Sequence, residues 1–302
     1  MTLAKNATIF TFSGITFDTL EQAVNNRIFT PCGAQYGISL GFVPPVDNTD
    51  RLVRVVDNIA TVLLREDSKV LPANVVKEEV RLYAERFEKE QGYAPGRRLM
   101  REIKEKVIMD LLAKAFINTT YTRAWLDFKR GLLVVDSASS SKVESLIGML
   151  IRSMQGDRTV TPWRTNGIPQ NHFTNWVQTG EPPVGFTIDD RALFKDHEGG
   201  TIRITNEDVN LDDIRYLVEH GRQCIELALT YKDSISFVLT KDLIVKRIIH
   251  FGIDSRDPNQ TEMMEDVLHD QEIILSAQAI RDIYDAINEV MGGLVKLEVE
   301  AA

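Results

Sequence analysis

Neighbouring carboxylates are the side chains of this sequence with the most direct chemical potential. They occur at Asp189-Asp190 and Asp212-Asp213, and a single carboxylate lies beside a lysine in Glu102-Ile103-Lys104. The last of these matches the E-x-K end of a nuclease motif, whose carboxylate would hold a divalent metal against a phosphate. Paired aspartates are also typical of helix caps and first turns, and Ile103 belongs to an apolar stripe. We therefore expect no metal site, and a metal-dependent nuclease is the least favoured of three functional hypotheses.

Other catalytic signatures are missing from the sequence. It contains no GxxxxGK[ST], GxGxxG, HExxH or GxSxG pattern, and its five histidines share no metal-ligand spacing. Cys32 and Cys224 stand far apart without a CxxC motif, which favours two small buried thiols over a disulfide or a zinc site. We therefore expect no nucleotide-driven chemistry and no cofactor.

Three aromatic residues fall in a segment rich in proline and glycine. Trp163, Phe173 and Trp176 lie between residues 156 and 185, a stretch that we interpret as a seam between domains. Exposed rings of this kind stack on nucleic-acid bases. Packing in the interior is the more common role, and we expect it here.

Charge is unevenly distributed along the 302 residues. The net charge is −9, but Lys77 to Arg130 contains thirteen Lys and Arg against nine Asp and Glu, which is +4 and leaves −13 for the rest. Because exposed charges are screened beyond about 10 Å at ordinary salt, a basic section of an acidic protein is able to bind phosphate. The alternative is a solvated helix surface without a partner.

Two helices joined by a short turn are predicted within this basic section. Their narrow apolar stripes are Val76, Val80, Tyr83 and Phe87, then Leu99, Ile103, Val107, Leu111 and Ala115. Gly92 to Gly96 breaks the chain between them, while Arg97, Arg101 and Lys104 share a separate face of the second helix. We predict a basic helical hairpin over 72–115 that projects from the rest of the molecule.

The remaining sequence is typical of an α+β protein with antiparallel sheets and packed helices. We predict strands at 7–12, 36–43, 59–65, 124–128, 132–136, 224–231, 234–239 and 243–251, and helices at 16–26, 211–220 and 276–291. Glu66-Asp67-Ser68 is predicted to turn, and Ser140 or Ser141 is expected to cap a helix with Glu144 in a capping box.

Length and composition indicate a multi-domain globular protein. We divide it into a central domain (1–71 plus 120–160), a hairpin tip (72–119) and a C-terminal domain (161–302). The sequence has no window apolar enough for a membrane helix and no signal-peptide pattern, so we expect a cytoplasmic protein.

Several short segments resemble the RdgC family of bacterial recombination-associated proteins. They are Phe29-Thr30-Pro31-Cys32-Gly33, Gly41-Phe42-Val43-Pro44-Pro45, Leu71-Pro72, Ala115-Phe116, Trp125-Leu126-Asp127, residues 131–139, Glu219-His220-Gly221-Arg222 and Leu227-Ala228-Leu229. The resemblance implies a ring-shaped homodimer that encircles double-stranded DNA with little sequence preference and restrains recombination by the RecA-type strand-exchange protein. It also implies a protein that is not an enzyme, association with the nucleoid and a connection to replication.

The same resemblance assigns candidate site residues. Lys114 and Arg222 stand where the family has basic residues, and both are expected to contact DNA. Phe116 is the aromatic residue of the Ala-Phe pair at the base of the hairpin and is expected at the dimer interface. The hairpin cluster adds the DNA-binding candidates Arg97, Arg98, Arg101, Lys104, Lys77 and Arg81.

Alternatives remain for these residues and for the function. Phe116 could belong to the core, and Arg222 could cap the preceding helix. Asn206-Glu207 follows Ile202-Arg203-Ile204 where resembling proteins can be basic, which puts the strength of DNA binding in question. The second functional hypothesis is a protein-interaction regulator of a recombinase or replication protein, for which DNA contact is incidental.

Overall fold

A computed structural model describes residues 3–46, 49–154, 156–205, 211–252 and 265–295 of the chain. These residues form an α+β fold of twelve strands and seven helices. The strands are β1 (Asn6–Ser13), β2 (Ile38–Val43), β3 (Arg54–Val56), β4 (Ile59–Lys69), β5 (Ile117–Asp127), β6 (Leu132–Val135), β7 (Thr159–Pro162), β8 (Phe186–Lys195), β9 (Thr201–Thr205), β10 (Gln223–Tyr231), β11 (Ile235–Thr240) and β12 (Val245–His250). The helices are α1 (Phe17–Asn25), α2 (Ala73–Gln91), α3 (Arg97–Leu112), α4 (Ser140–Ser153), α5 (Pro169–Thr179), α6 (Leu211–Glu219) and α7 (Glu265–Val290).

The strands join into one antiparallel sheet in the order β2-β4-β5-β6-β1-β12-β11-β10-β8-β9, with β3 beside β4 and β7 beside β1. Strand β1 connects the two halves. Asn6 and Ala7 pair with β12, Thr8 to Thr11 pair with β6, and Phe10 to Ser13 pair with β7. Backbone hydrogen bonding therefore crosses the predicted division between the central and C-terminal domains, and that division remains a prediction.

Alternation along β6 explains how the N-terminal half of the sheet is buried on both faces. Leu132 and Val134 belong to one apolar cluster with α5 and α7, whereas Leu133 and Val135 belong to a second cluster with α1 and α4. Because successive side chains of a strand point to opposite faces, one strand contributes to both cores. A strand buried on both faces is expected to be continuously apolar, as Leu132 to Val135 are.

The C-terminal half of the sheet, β8 to β12, is organised differently. One face contributes Leu227, Leu229 and Phe237 to the cluster that α5 and α7 cover. We call the opposite side the second face. It carries Leu193, Ala228 and Val238, and neither apolar cluster includes these residues.

The two most specific segments of the family resemblance lie against each other. The Phe29 amide donates a hydrogen bond to the Phe42 carbonyl (2.9 Å), and the Phe42 amide donates to the Arg27 carbonyl (2.8 Å). A Cβ atom on Gly41 would lie 2.3 Å from the Phe29 Cα, so only glycine admits this approach. The contact closes the outer side of β2.

The predicted turn at Glu66 to Ser68 is wrong, because β4 continues through it to Lys69. Its residues pair with β2 on one side and with β5 on the other. The buried Asp67 carboxylate accepts hydrogen bonds from Arg65 (2.9 Å) and from the Thr119 hydroxyl (2.9 Å). Pairing on both edges and a satisfied carboxylate override the local turn preference of this sequence.

Helix boundaries differ from the prediction in two places. Helix α4 has Ser139 at its N-cap without a side-chain cap bond, so the expected capping box with Glu144 does not form. Helix α7 begins at Glu265, eleven residues before the predicted start. No described helix combines the length and the apolar character needed to span a membrane.

The predicted role of the aromatic segment in packing is confirmed. Phe173, Trp163 and Trp176 are all buried, and the Trp163 indole donates a hydrogen bond to Asn288 of α7 (2.8 Å). Both cysteines are free thiols. Cys224 is buried as predicted, while Cys32 is half-buried and its thiol donates to the Tyr36 carbonyl.

Candidate nucleic-acid interface

Both predicted hairpin helices are present, and they pack side by side. The turn between them contains Gly92 in the left-handed conformation (φ 78°), which closes α2. The Lys106 amine donates a hydrogen bond to the Tyr83 hydroxyl (3.0 Å), and Phe87 meets Tyr93 edge to face. Ile103, with Val107, forms the buried part of α3, whereas α2 buries no residue completely.

Four predicted DNA-binding residues occupy the first eight positions of α3. Arg97, Arg98, Arg101 and Lys104 are all exposed. Glu102 is the one acidic residue in this stretch, and it pairs with Arg98 over 3.2 Å. Arg97 and Arg98, in the first turn, face the positive end of the helix dipole, which costs about 0.3–1 kcal/mol each. Helix stability therefore does not account for them.

The two candidates on α2 have different surroundings. Lys77 is exposed. Arg81 forms ion pairs with Glu78 (2.6 Å) and with Glu85 on the same helix. The hydrogen bond that Arg81 donates to the Glu78 carboxylate raises the pKa of the Arg81 guanidinium. Two adjacent carboxylates compensate its charge, so Arg81 is less available to a phosphate than Lys77.

Lys114 and Phe116 lie where α3 returns to the sheet. Lys114 is exposed, and its amide donates to the Leu111 carbonyl at the end of α3. The Phe116 side chain is 88% exposed, while its carbonyl accepts a hydrogen bond from the Val70 amide. The alternative that Phe116 belongs to the core is therefore wrong for the isolated chain.

Arg222 lies in the other half of the molecule, after Gly221 has ended α6 in a left-handed conformation (φ 77°). Its guanidinium is 3.4 Å from a carboxylate oxygen of Asp196. The pKa of Asp196 is lowered first by the Gly200 backbone N–H and further by the nearby Arg222. Arg222 is thus a positioned cation with a carboxylate beside it.

The predicted residues do not form a single cluster. The sixteen residues of α3 span about 24 Å, with Arg97 at one end and Lys114 beyond the other. Duplex DNA carries one charge per ~1.7 Å of axis when both strands are counted, so an equal length of duplex holds about 14 phosphates, and the helix faces a part of them. A surface of this size fits many weak phosphate contacts better than one binding pocket.

The acidic candidates have structural surroundings in the described part of the chain. Asp189 accepts a hydrogen bond from the Thr230 hydroxyl (2.8 Å), and burial raises its pKa. Glu102 and Lys104 are exposed on either side of the buried Ile103. Within the described ranges, no three His, Cys, Asp or Glu residues are grouped so that they could hold a metal ion.

Two further predictions concern residues that the structure does not describe fully. The Asn206-Glu207 pair lies outside the described residues. The Asp212-Asp213 pair falls in the first turn of α6, but the side chains of that turn are outside the described set.

A second group of cations escaped the sequence analysis. Arg191, Arg203, Lys246 and Arg247 line one cleft on the second face of the sheet. The alternation of Ile202-Arg203-Ile204 is the sequence signal for an edge strand with a cation facing outward. Nothing in the local sequence indicates that strands so far apart bring these residues together.

These features define an α+β protein with one long antiparallel sheet and exposed basic surfaces. A family model described as "Putative exonuclease, RdgC" matches residues 3–294. The chain belongs to the RdgC family.

Similar proteins carry the name "Recombination-associated protein RdgC". One from Paraburkholderia phymatum is 32% identical over 282 residues, which cover 92% of each chain. One from Bordetella pertussis is 32% identical over 262 residues, covering 84% of this chain and 85% of the relative. One from Cupriavidus necator is 30% identical over 294 residues, covering 96% and 98%. The expected family resemblance is therefore confirmed over nearly the whole chain.

Proposed function

We propose that this protein binds double-stranded DNA without sequence preference, as a homodimeric ring that encircles the duplex. In that position it restrains recombination by a RecA-type strand-exchange protein and associates with the nucleoid. The observation that carries the proposal is the set of exposed cations at the start of α3. They are Arg97, Arg98, Arg101 and Lys104.

Electrostatics supports a phosphate partner for this surface. Arg97 and Arg98 lie in the first turn of α3, against the helix dipole, and the four cations have one carboxylate among them, so the bare surface is unfavourable. A bound phosphate would offset both the repulsion among the cations and their unfavourable interaction with the dipole, because anions are stabilised at helix N-termini. The acidic remainder of the chain repels DNA elsewhere and limits binding to such surfaces. Contacts to phosphates carry no sequence information, which agrees with non-specific binding.

Exposed apolar side chains at the hairpin base support a second copy as partner. Phe116 is 88% exposed, and its neighbours Ile117 and Val70 are 48% and 49% exposed. Burial of apolar surface yields about 25 cal/mol per Å², so such a group is favourable when covered. We propose that a second copy of the chain covers it and that the hairpin bases contribute to ring closure.

We further propose that the protein is not a nuclease, although the family description contains the word exonuclease. Glu102, the carboxylate of the nuclease-like triplet, lies exposed on a helix and pairs with Arg98. Incubation of labelled duplex with the purified protein and magnesium is expected to cause no strand loss. Strand loss that disappears in Glu102→Ala would overturn this part of the proposal.

The experiment that tests encirclement compares circular and linear DNA. The protein is loaded on nicked circles at low salt, brought to moderate salt, and passed through gel filtration before and after a single restriction cut. A ring slides but does not leave a circle without opening, whereas ion pairs alone are lost equally from both forms. Retention on circles with release after cutting is expected. Equal loss from both forms would exclude a closed ring.

A companion binding assay separates this proposal from the regulator hypothesis. The purified protein is expected to bind random-sequence duplex when no other protein is present. Binding that occurs only when a recombinase filament is added would instead favour a protein-interaction regulator.

A further inference from the structure

We propose that the cleft on the second face of the C-terminal half-sheet is a binding site, called the phosphate seat below, for a backbone phosphodiester of the DNA. The inference rests on the proposed function, since it adds a DNA contact surface that is separate from the hairpin. It assigns the contact to Arg191, Arg203, Lys246 and Arg247, on strands β8, β9 and β12.

The cleft has the size and charge for a phosphate group. Its volume is about 180 Å³, which equals the space of about six water molecules at ~30 Å³ each. Four cations line it against one carboxylate, that of Glu226. The other lining residues are Ala192, Leu193, Ile204, Thr205 and Val238.

A β-bulge brings two of these cations to the same cleft. Side chains of successive strand residues normally point to opposite faces, so Lys246 and Arg247 would be separated in a regular strand. The pairing of β11 with β12 shifts register between Ser236 and Val238, opposite this point. Arg247 has a left-handed backbone conformation (φ 53°), and its amide lies 3.4 Å from the Asn6 side-chain oxygen. Bulges of this kind re-aim side chains and are common beside functional sites.

The left-handed conformation of Arg247 is itself informative. Few non-glycine residues adopt it, because it brings the Cβ atom too close to the following carbonyl oxygen. Glycine would adopt this conformation without strain, whereas the arginine at this position adds an exposed cation to the cleft. Within the described residues, no ion pair or side-chain hydrogen bond is formed by that guanidinium.

The opposite wall of the cleft is formed by the sheet edge. Arg203 faces Leu193 across the β8–β9 pair, and Leu193 in turn faces Glu226 on β10. Arg191 pairs with Thr205 in the neighbouring position of the same face, and its Nε atom is 3.6 Å from Asp190. Among the described strands β9 is the last of the sheet, and Arg203 is exposed there.

Apolar residues between the cations favour a phosphodiester over a free phosphate ion. Leu193 and Val238 lie on the cleft floor, and Val238 is 9% exposed. Sugar carbons on either side of a phosphodiester would contact such a floor, whereas an inorganic ion gains nothing from it. Contacts from these cations to phosphate oxygens carry no sequence information, which fits binding without sequence preference.

Glu226 limits the strength of the seat. Its carboxylate holds the Lys246 amine at 2.7 Å, so part of the positive charge is already compensated. Replacing this carboxylate with an amide would free Lys246 for phosphate while preserving the shape of the cleft. A glutamate in a phosphate seat thus predicts that the natural protein binds less tightly than its Glu226→Gln variant.

The test measures duplex binding by fluorescence anisotropy at several salt concentrations. Arg203→Ala combined with Arg247→Gly is expected to lower the affinity for random-sequence duplex about tenfold or more. The log–log salt slope should become shallower by about 1.8, at 0.9 per lost contact. Arg247→Gly alone should not lower the melting temperature, because glycine relieves the left-handed strain. Glu226→Gln is expected to raise affinity, and the control Lys232→Ala, an exposed cation in the β10–β11 turn, should leave it unchanged.

A second measurement separates failure of the seat from failure of DNA binding. Inorganic phosphate is titrated while the backbone amide signals of Arg203 and Arg247 are followed by NMR, and weak, saturable shifts are expected. If the double variant binds duplex with the same affinity as the wild type, the assignment of the phosphate seat is wrong and the proposed function stands. If phosphate shifts the signals but duplex does not bind, the proposed function is wrong and the cleft remains a phosphate site. Absence of both effects overturns both proposals.

Discussion

Arg281 of α7 donates a hydrogen bond to the carboxylate of Asp127 at the end of β5, over 2.6 Å. The Asp127 side chain is almost fully buried, and its other carboxylate oxygen accepts the backbone amides of Lys129 and Arg130. The Asp127 carboxylate thus stabilises the β5–β6 turn and also links α7 to the N-terminal half of the sheet.

Removal of Arg281 is expected to destabilise the fold strongly. In Arg281→Ala the Asp127 carboxylate stays buried without its cation, which typically costs about 3–5 kcal/mol. Urea unfolding followed by circular dichroism measures the loss. Arg130→Ala is the matched control, because Arg130 links the same turn to Asp285 of α7 but both partners are exposed. Its cost should stay below about 1 kcal/mol, and equal losses would contradict the assigned importance of burial.

Charge reversal at the start of α3 should weaken DNA binding without harming the fold. The triple change Arg97→Glu, Arg98→Glu and Arg101→Glu removes up to three phosphate contacts, so the salt slope should become shallower by about 2.7. Acidic residues suit a helix N-terminus, so the melting temperature should stay equal or rise. Lys89→Glu, at the exposed end of α2, is the control within the same hairpin. An unchanged slope in the triple variant would place these arginines on a merely solvated surface.

Acidification is expected to destabilise the protein through His269. This side chain is 3% exposed, and burial, followed by the nearby Arg123, lowers its pKa to about 4. Arg54 and Asp270 also face it, and neither ring nitrogen has a hydrogen-bond partner among the described residues. Below pH 6.5 the His269 imidazole binds a proton in the unfolded chain but stays neutral in the folded chain. The free energy of unfolding therefore decreases as the pH falls toward 4.

The size of this effect follows from the same difference in pKa. Between pH 6.5 and 5 the loss should be about 2 kcal/mol, at 1.36 kcal/mol per pH unit. His269→Leu should flatten the dependence of the unfolding free energy on pH. The exposed His197→Leu serves as control and should leave it intact. A pH dependence that is the same in His269→Leu and in the wild type would assign the effect to other groups.

The two thiols should react very differently in the native protein. Cys224 is fully buried, and burial raises its pKa to about 12, so almost no thiolate forms at neutral pH. Cys32 is only half-buried. A thiol reagent should therefore modify one cysteine in the native state and two in guanidinium chloride. Cys32→Ser should abolish the native reaction, and rapid modification of two native thiols would contradict the packing around Cys224.

The hairpin and the C-terminal meander could be predicted because their signals are local. Stripes such as Leu99 and Ile103 repeat at helical spacing, and Gly92 marks the turn between the helices. The strand that became β10 ends where the turn residues Lys232 and Asp233 adopt left-handed conformations. Each of these features is fixed within fewer than twenty residues of chain.

The extension of β4 and the grouping of the cations in the cleft depend instead on pairing between strands that are far apart in the sequence. Asp67 lies in a strand because Thr119 and its neighbours are opposite, about fifty residues further along the chain. Arg203 meets Lys246 only through the strand order β9-β8-β10-β11-β12. Local sequence contains no information on such register, so the candidate site on the second face required the structure.

The shared strand β1 also sets the timing of folding during synthesis. Asn6 pairs with Lys246, about 240 residues later in the chain. At 5–20 residues per second, a ribosome needs about 12–48 s to make that distance. During this interval Asn6 and Ala7 have no partner on that edge of β1, and the apolar cluster that contains Ile9 lacks β12 and α7. The sheet that joins both halves in the finished protein therefore leaves the nascent chain dependent on protection from aggregation until synthesis is nearly over.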